Sequence, residues 1–208
     1  MLTKRCIEYR NVRLTDNLKT IGRLLYQTDS FIYPEFFGGA TNAEEIMEEA
    51  VKNNLYCFGT ENVFGAFENE KLLGMICMNP NGACKWNYDT WKKMFTDRNM
   101  LNQRIFDYVA DGYFEPLNEE KLEGKIYVLA VCVLEEERGY GIGTEMMQRF
   151  IELHKNEHIV LDTLADNLPA VLLYEKCGFK PMEYYFGFST IQERPRCIRM
   201  ERKSRIER

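Results

Sequence analysis

The sequence predicts an α/β protein, a mixed central sheet with helices on its faces, in one domain spanning 1–208 with a helical insertion at 85–124. Three observations carry that prediction. An unbroken apolar run, Ile126 to Leu134 (IYVLAVCVL), has the length of a strand covered on both faces. From that run onward the pattern alternates strand, helix, strand, helix, strand, which is how α/β sheets are laid down. Finally, 45% hydrophobic and 28% charged residues are ordinary for a globular chain, and no apolar run reaches the roughly 18 residues of a membrane span.

The elements follow in order. Ile7 to Val12 alternates and predicts a first strand. Thr15-Asp16 offers a helix cap before the apolar face Leu18, Ile21, Leu24 and Leu25. The stretch Tyr26 to Gly39 is rich in aromatics, ends in Gly-Gly, and contains Pro34, which forbids a continuous helix. Thr41 to Glu45 is a second cap signal, followed by Ile46, Met47, Ala50 and Val51 at helical spacing. Phe64–Glu68 and Leu72–Met78 predict paired strands around the turn Asn69-Glu70-Lys71, with Pro80-Asn81-Gly82 closing the hairpin. In the insertion, Trp86, Trp91, Met94 and Phe95, then Leu101, Ile105, Tyr108 and Val109, suggest two helices. About 40 residues are too few to bury a separate core, so the insertion belongs to the same domain.

After the apolar strand, Ile142, Met146, Phe150, Ile151 and His154 share one helix face. His158 to Thr163 is a second central strand, and Pro169 suits the first turn of a short helix over Ala170 to Lys176 that Gly178 stops. Glu183–Ser189 and Cys197–Arg202 make the last two strands.

A net charge of −5 argues against a nucleic-acid partner. Seven Lys/Arg and three Glu from Ile191 onward leave residues 1–190 at −9, and the basic tail is expected to be a solvated terminal strand. The basic N-terminus lacks the apolar core of a signal peptide, so the expected location is cytoplasmic, with no membrane partner. Seven scattered cysteines without a C-x-x-C pair read as reduced thiols. His154 and His158 are spaced i,i+4 but have no third ligand nearby, so no metal site is expected.

The chemistry points to Arg138-Gly139-Tyr140-Gly141-Ile142-Gly143-Thr144, between the apolar strand and the helix. A glycine turn opening a helix gathers backbone N–H groups at the positive end of the helix dipole, where an anion binds. Taken alone, three alternating glycines serve equally well as a flexible connection. The spacing is not that of a dinucleotide fingerprint, and no Lys-Ser/Thr pair follows as in a P-loop.

Arg138-x-x-Gly141-x-Gly143 after Val131-Cys132-Val133 resembles the acyl-CoA signature of the GNAT superfamily of N-acyltransferases. A second segment, Asn167-Leu-Pro-Ala170-Val-Leu-Leu-Tyr174-Glu175-Lys176-Cys177-Gly178-Phe179, is similar to the family's N-x-x-A-x-x-x-Y-E-x-x-G-F segment. The two lie about 24 residues apart and in the family's order, which is more specific than either alone. The insertion is longer than the connection many members have there, so the resemblance says little about it.

The resemblance implies a mostly antiparallel sheet and an acetyl-CoA-dependent N-acetyltransferase. Acetyl-CoA, the cosubstrate, would place its pyrophosphate on the backbone of Arg138, Gly139, Tyr140, Gly141, Ile142, Gly143 and Thr144. Its pantetheine arm would pair with the backbone of Val131, Cys132 and Val133, which needs the neighbouring strand to splay away. Asn167 would contact the arm as it leaves. Tyr174 would protonate the leaving thiolate, although its helical spacing from Ala170 and Cys177 alone reads rather as a core aromatic. Asp162, a carboxylate inside an apolar strand and five residues before Asn167, is the candidate base, as in ribosomal-protein N-terminal acetyltransferases; a salt-bridged or capping carboxylate is the equal alternative. Another family base position falls on Tyr127. The acceptor would be a primary amine of a small molecule or peptide, over the first helices; Tyr33, Phe36 and Phe37 are candidates to line its pocket and Trp86 or Trp91 to lid it, with structural packing at least an equal reading for each. The negative charge of residues 1–190 suits a cation. The contrasting expectation is an acyl-CoA sensor without transfer, and a homodimer is one assembly the sequence allows.

Overall fold

The computed structural model describes residues 5–30, 32–55, 57–80, 87–109, 122–186 and 196–206. Seven strands form one sheet: β1 (Glu8–Asn11), β2 (Val63–Glu68), β3 (Lys71–Asn79), β4 (Ile126–Val133), β5 (Ile159–Leu164), β6 (Lys180–Phe186) and β7 (Arg196–Arg202). Their order is β1-β2-β3-β4-β5-β7-β6. Every neighbouring pair is antiparallel except β4 and β5. The mixed, mostly antiparallel sheet expected from the sequence is therefore present.

One face carries helices α1 (Lys19–Tyr26), α2 (Tyr33–Phe37), α3 (Ala40–Lys52), α4 (Tyr88–Asp97) and α5 (Gln103–Val109); the other carries α6 (Ile142–Leu153) and α7 (Leu168–Lys176). The two faces have separate apolar cores. Ile21, Leu24, Leu25, Ile46, Phe37, Trp91 and Phe106 belong to the first, and Ile76, Met146, Phe150, Leu161 and Met200 to the second. Both helices of the 85–124 insertion that are described feed the first core, through Trp91, Met94, Phe95 and Phe106. Trp86 lies outside the described residues.

Close packing decides several positions. A Cβ built on Gly22 would lie 2.3 Å from the Ala43 carbonyl oxygen, so α1 and α3 touch through backbone there and no larger residue fits. The hairpin between β2 and β3 turns through Asn69 (φ 48°) and Glu70 (φ 65°), the two left-handed residues of a tight two-residue loop.

The structure departs from the sequence in three places. Thr15-Asp16 does not cap α1, whose N-cap is Leu18; Asp16 instead accepts the Arg13 amide at 2.7 Å and pairs with Arg10 at 2.8 Å. Helix α3 starts at Ala40 behind Gly39, ahead of the predicted cap, and Asn42 reaches back to the Phe37 carbonyl. The expectation for Pro34 holds: α1 ends at Tyr26 and a separate α2 starts at Tyr33, with Pro34 in its first turn, where its missing N–H has no partner to lose. The basic C-terminal strand is not a solvated edge. β7 lies between β5 and β6, with Ile198 and Met200 in the second core and Arg199 and Arg202 buried.

Candidate active site

The site grows from an irregularity in β4. Against β3, Ala130 pairs with Cys77 and Val128 with Met78, which leaves Leu129 as an extra residue. This bulge sends Leu129 and Ala130 to the same face and shifts the alternation, so that Val131 and Val133 face the second core and Cys132 the first. Beside it, β4 pairs with β5 over only three positions, Ile126–Ile159, Tyr127–Val160 and Val128–Leu161. From Leu129 and Asp162 onward the two strands part, while β5 stays paired with β7 through Leu164. The splay expected next to the glycine turn is thus present.

The parting leaves one edge of β4 open. The Leu134 amide donates to Leu73 of β3 at 2.8 Å, and the Cys132 carbonyl lies toward Gly74 on the same side. Because a strand's backbone groups alternate, the N–H and C=O of Val131 and Val133 point into the gap. The Val133 carbonyl there accepts Arg138 Nε at 3.0 Å, and Arg138 also reaches Gln27 Oε1 at 3.4 Å.

At the end of β4 the chain makes a 3-10 turn (Glu135–Glu137) and then enters the glycine turn. Gly139 (φ 84°) and Gly141 (φ 82°) are left-handed, a conformation that costs any residue with a Cβ. Gly141 is the N-cap of α6 and offers no side chain to its first-turn amides. The cradle is therefore made of backbone donors on a helix dipole, the arrangement that suits a pyrophosphate. Gly143 has a different task. A Cβ there would sit 3.4 Å from Leu173 Cδ1 and Val133 Cγ2, so its hydrogen face looks inward, against α7 and β4. Tyr140 is exposed, with the Arg5 guanidinium 5.7 Å from its ring centre. Three glutamates beside an anion cradle would repel the ligand, but Glu137 is held by Arg5 at 2.7 Å, and Lys71 lies 3.7 Å from both Glu136 and Glu137.

Opposite this cradle, Asn167 caps α7: its side-chain oxygen accepts the Ala170 amide at 3.4 Å. Tyr174 lies on α7 with 7% of its surface exposed, edge-on to Phe179 at 5.9 Å. Burial, with smaller contributions from Cys132 and Cys177, raises its phenol far above the ordinary range, so it stays protonated. Burial also raises the Cys132 thiol against the opposing influence of Arg138. Tyr174 belongs to the second core and Cys132 to the first.

Asp162 is the first residue of β5 beyond the parting. Arg199 of β7 grips it with two bonds, Nε to Oδ1 and a terminal nitrogen to Oδ2, both 2.9 Å. The Tyr127 hydroxyl donates to Oδ2 at 3.0 Å. Arg199 also reaches Glu183 of β6 at 3.4 Å. Tyr127, Asp162, Arg199 and Glu183 therefore form a strip across β4, β5, β7 and β6 on the face of the first core. The sequence offered Asp162 and Tyr127 separately; Arg199 and Glu183 were missed. The available signal was Arg199 between Ile198 and Met200, a charge in alternation that must face away from them.

Tyr33, Phe36, Phe37 and Trp91 are all buried in the first core. Trp91 packs edge-on to Phe58 at 5.8 Å and is no lid. His158 bonds Glu201 at 2.8 Å. Among the described residues, no helix is long and apolar enough to cross a membrane.

Known proteins resemble this chain in sequence and in fold. The Acetyltransferase (GNAT) family model matches residues 24–179. An N-acetyltransferase from Staphylococcus aureus Mu50 superposes with a TM-score of 0.69 over 94% of this chain and 100% of its own, at 16% identity, a likeness of fold. An N-alpha-acetyltransferase of Saccharolobus solfataricus is 37% identical over 97 residues, 40% of this chain and 58% of that relative. The spermine/spermidine N(1)-acetyltransferase of Bacillus subtilis is 26% identical over 80 residues, 36% of this chain and 53% of its own length. The chain thus spans little more than half the length of these curated relatives. With the family match running from α1 across the splay to the end of α7, the chain belongs to the acetyltransferase (GNAT) family.

Proposed function

We propose that the chain is an N-acetyltransferase that moves an acetyl group from acetyl-CoA to the N-terminal α-amine of a peptide or protein. The observation that carries this reading is the splay itself: β4 parts from β5 beside the left-handed glycines that open α6, and a buried, protonated Tyr174 lies on α7. The donor fits these residues by chemistry. Backbone amides of Arg138, Gly139, Tyr140, Gly141, Ile142, Gly143 and Thr144 would hold its pyrophosphate, the Val131–Val133 edge its amide-bearing arm, and Asn167 the arm's exit. When bound, acetyl-CoA supplies an activated acetyl thioester.

The chain's own residues do the rest. Tyr174, kept protonated by burial, donates its proton to the departing sulfur. Asp162 acts through Tyr127. With the Tyr127 proton directed to Asp162, the phenol oxygen turns its lone pairs to an incoming amine. As the amine attacks, its proton passes to Tyr127 while the Tyr127 proton passes to Asp162. Arg199 holds Asp162 in the orientation this requires.

A peptide α-amine is supported by the Saccharolobus relative's name. A small polyamine is the second reading, supported by the Bacillus relative. Thiol release from acetyl-CoA, followed over peptides with free N-termini and over spermidine, tests both. Release with the peptides and not with their N-terminally blocked forms is expected. Release with spermidine alone would replace the acceptor, and acetyl-CoA binding without release on any amine would make the chain a sensor.

A further inference from the structure

The strip on the first-core face holds two carboxylates and one guanidinium, shared unequally. Arg199 commits Nε and one terminal nitrogen to Asp162 at 2.9 Å each, in the forked geometry a carboxylate matches best. Only its remaining terminal nitrogen reaches Glu183, at 3.4 Å, long for a charge-assisted bond. Burial follows the same division: the Asp162 and Arg199 side chains are 12% and 10% exposed, Glu183 is 46% exposed. Asp162 thus takes most of the Arg199 charge, while Glu183 holds it by one long contact and keeps most of its own charge toward solvent.

Its place is defined by register. Glu183 pairs with Arg199, and Arg199 with Asp162, so the three side chains share a face of adjacent strands. Ile198 and Met200, on either side of Arg199, point into the opposite core. β6 stands two strand spacings beyond β5, about 10 Å from the gap where the amine would react. That is too far to bind the reacting nitrogen. An extended peptide advances about 3.3 Å per residue, so about three residues cover the distance.

On this basis, and resting on the peptide-acceptor reading above, we infer that Glu183 is a specificity residue selecting acceptors with a cationic side chain about three residues from the acetylated N-terminus. Asp162 is a weaker competitor for that cation, because Arg199 already pairs with both its oxygens and its side chain is nearly buried. A half-exposed carboxylate gives a modest preference that salt weakens.

The test compares two peptides, identical except for Lys or Gln at position three, by kcat/KM at low and high salt. The wild-type protein is expected to favour Lys by roughly three- to fivefold at low salt, with the preference shrinking in salt. In Glu183→Gln the ratio falls to about one, and in Glu183→Lys it drops below one, toward a peptide carrying Glu at that position. Equal use of both peptides by the wild type, or a ratio unaltered in Glu183→Gln, overturns the inference and leaves the peptide acceptor standing. Acetylation of neither peptide by a wild type that binds acetyl-CoA overturns the peptide reading itself.

Discussion

β4 and β5 leave the same junction in opposite states. Beyond Leu129, β4 carries mostly apolar side chains and an unpaired backbone edge. Beyond Leu161, β5 keeps its backbone paired to β7 and spends a side chain, Asp162, in a bonded polar cluster. One arm offers backbone to a ligand; the other offers side chains. The bulge at Leu129 makes the difference, because it shifts β4 relative to β3 while β5 follows β7. Under the proposed reading, the amide-bearing arm of acetyl-CoA would lie along the first arm and the acceptor would meet the second.

The side-chain arm is the easier to break. Arg199→Ala leaves the Asp162 carboxylate without its cation in a nearly buried place, and chemical denaturation should show a loss of about 3 kcal/mol. Replacing the pair by Asp162→Leu with Arg199→Met should recover most of that stability yet leave acetyl transfer impaired, since Tyr127 loses its partner. If the double variant works at the wild-type rate, the cluster is packing alone.

The backbone arm is probed by its glycines. Gly141→Ala forces a Cβ into a left-handed residue, at about 1–2 kcal/mol, and should raise the Kd for acetyl-CoA several-fold by calorimetry. Gly143→Ala, with ordinary backbone geometry and an inward Cβ at 3.4 Å, should cost less in both respects. Equal effects would mean that the two glycines share one role, as the sequence alone suggested.

The smallest effect is one of pH. Burial raises the Tyr174 phenol, and burial with Glu145 raises Tyr9 to about 12. Both stay protonated in the fold at a pH where an unfolded phenol, near 10, ionises. The folded state then binds more protons, so stability should fall as pH rises above about 10. Tyr174→Phe should flatten part of that fall in pH-dependent melting curves.

The two arms also differed in what the sequence disclosed. The backbone arm was legible because its requirements are local: an apolar run, left-handed glycines and a helix start occupy consecutive residues. The same holds for Asn167 and Gly178 at the ends of α7. The side-chain arm depends on β7 inserting between β5 and β6, a pairing 37 residues from Asp162 to Arg199 that no local pattern specifies. For the same reason nothing local distinguishes the basic C-terminal strand from a solvated one. Trp91 misled in another way: an aromatic in a polar insertion looks like a lid until α4 is seen packed on the first core.

If the splay binds the coenzyme through backbone, Tyr174 serves the chemistry and not the binding. Tyr174→Phe, which keeps the ring and removes the proton, tests it most directly when acetyl-CoA affinity and turnover are measured on the same preparation. The expected result is a Kd within about twofold of the wild type and turnover lower by roughly a hundredfold. Turnover at the wild-type rate, or turnover lost only because binding is lost, would contradict it.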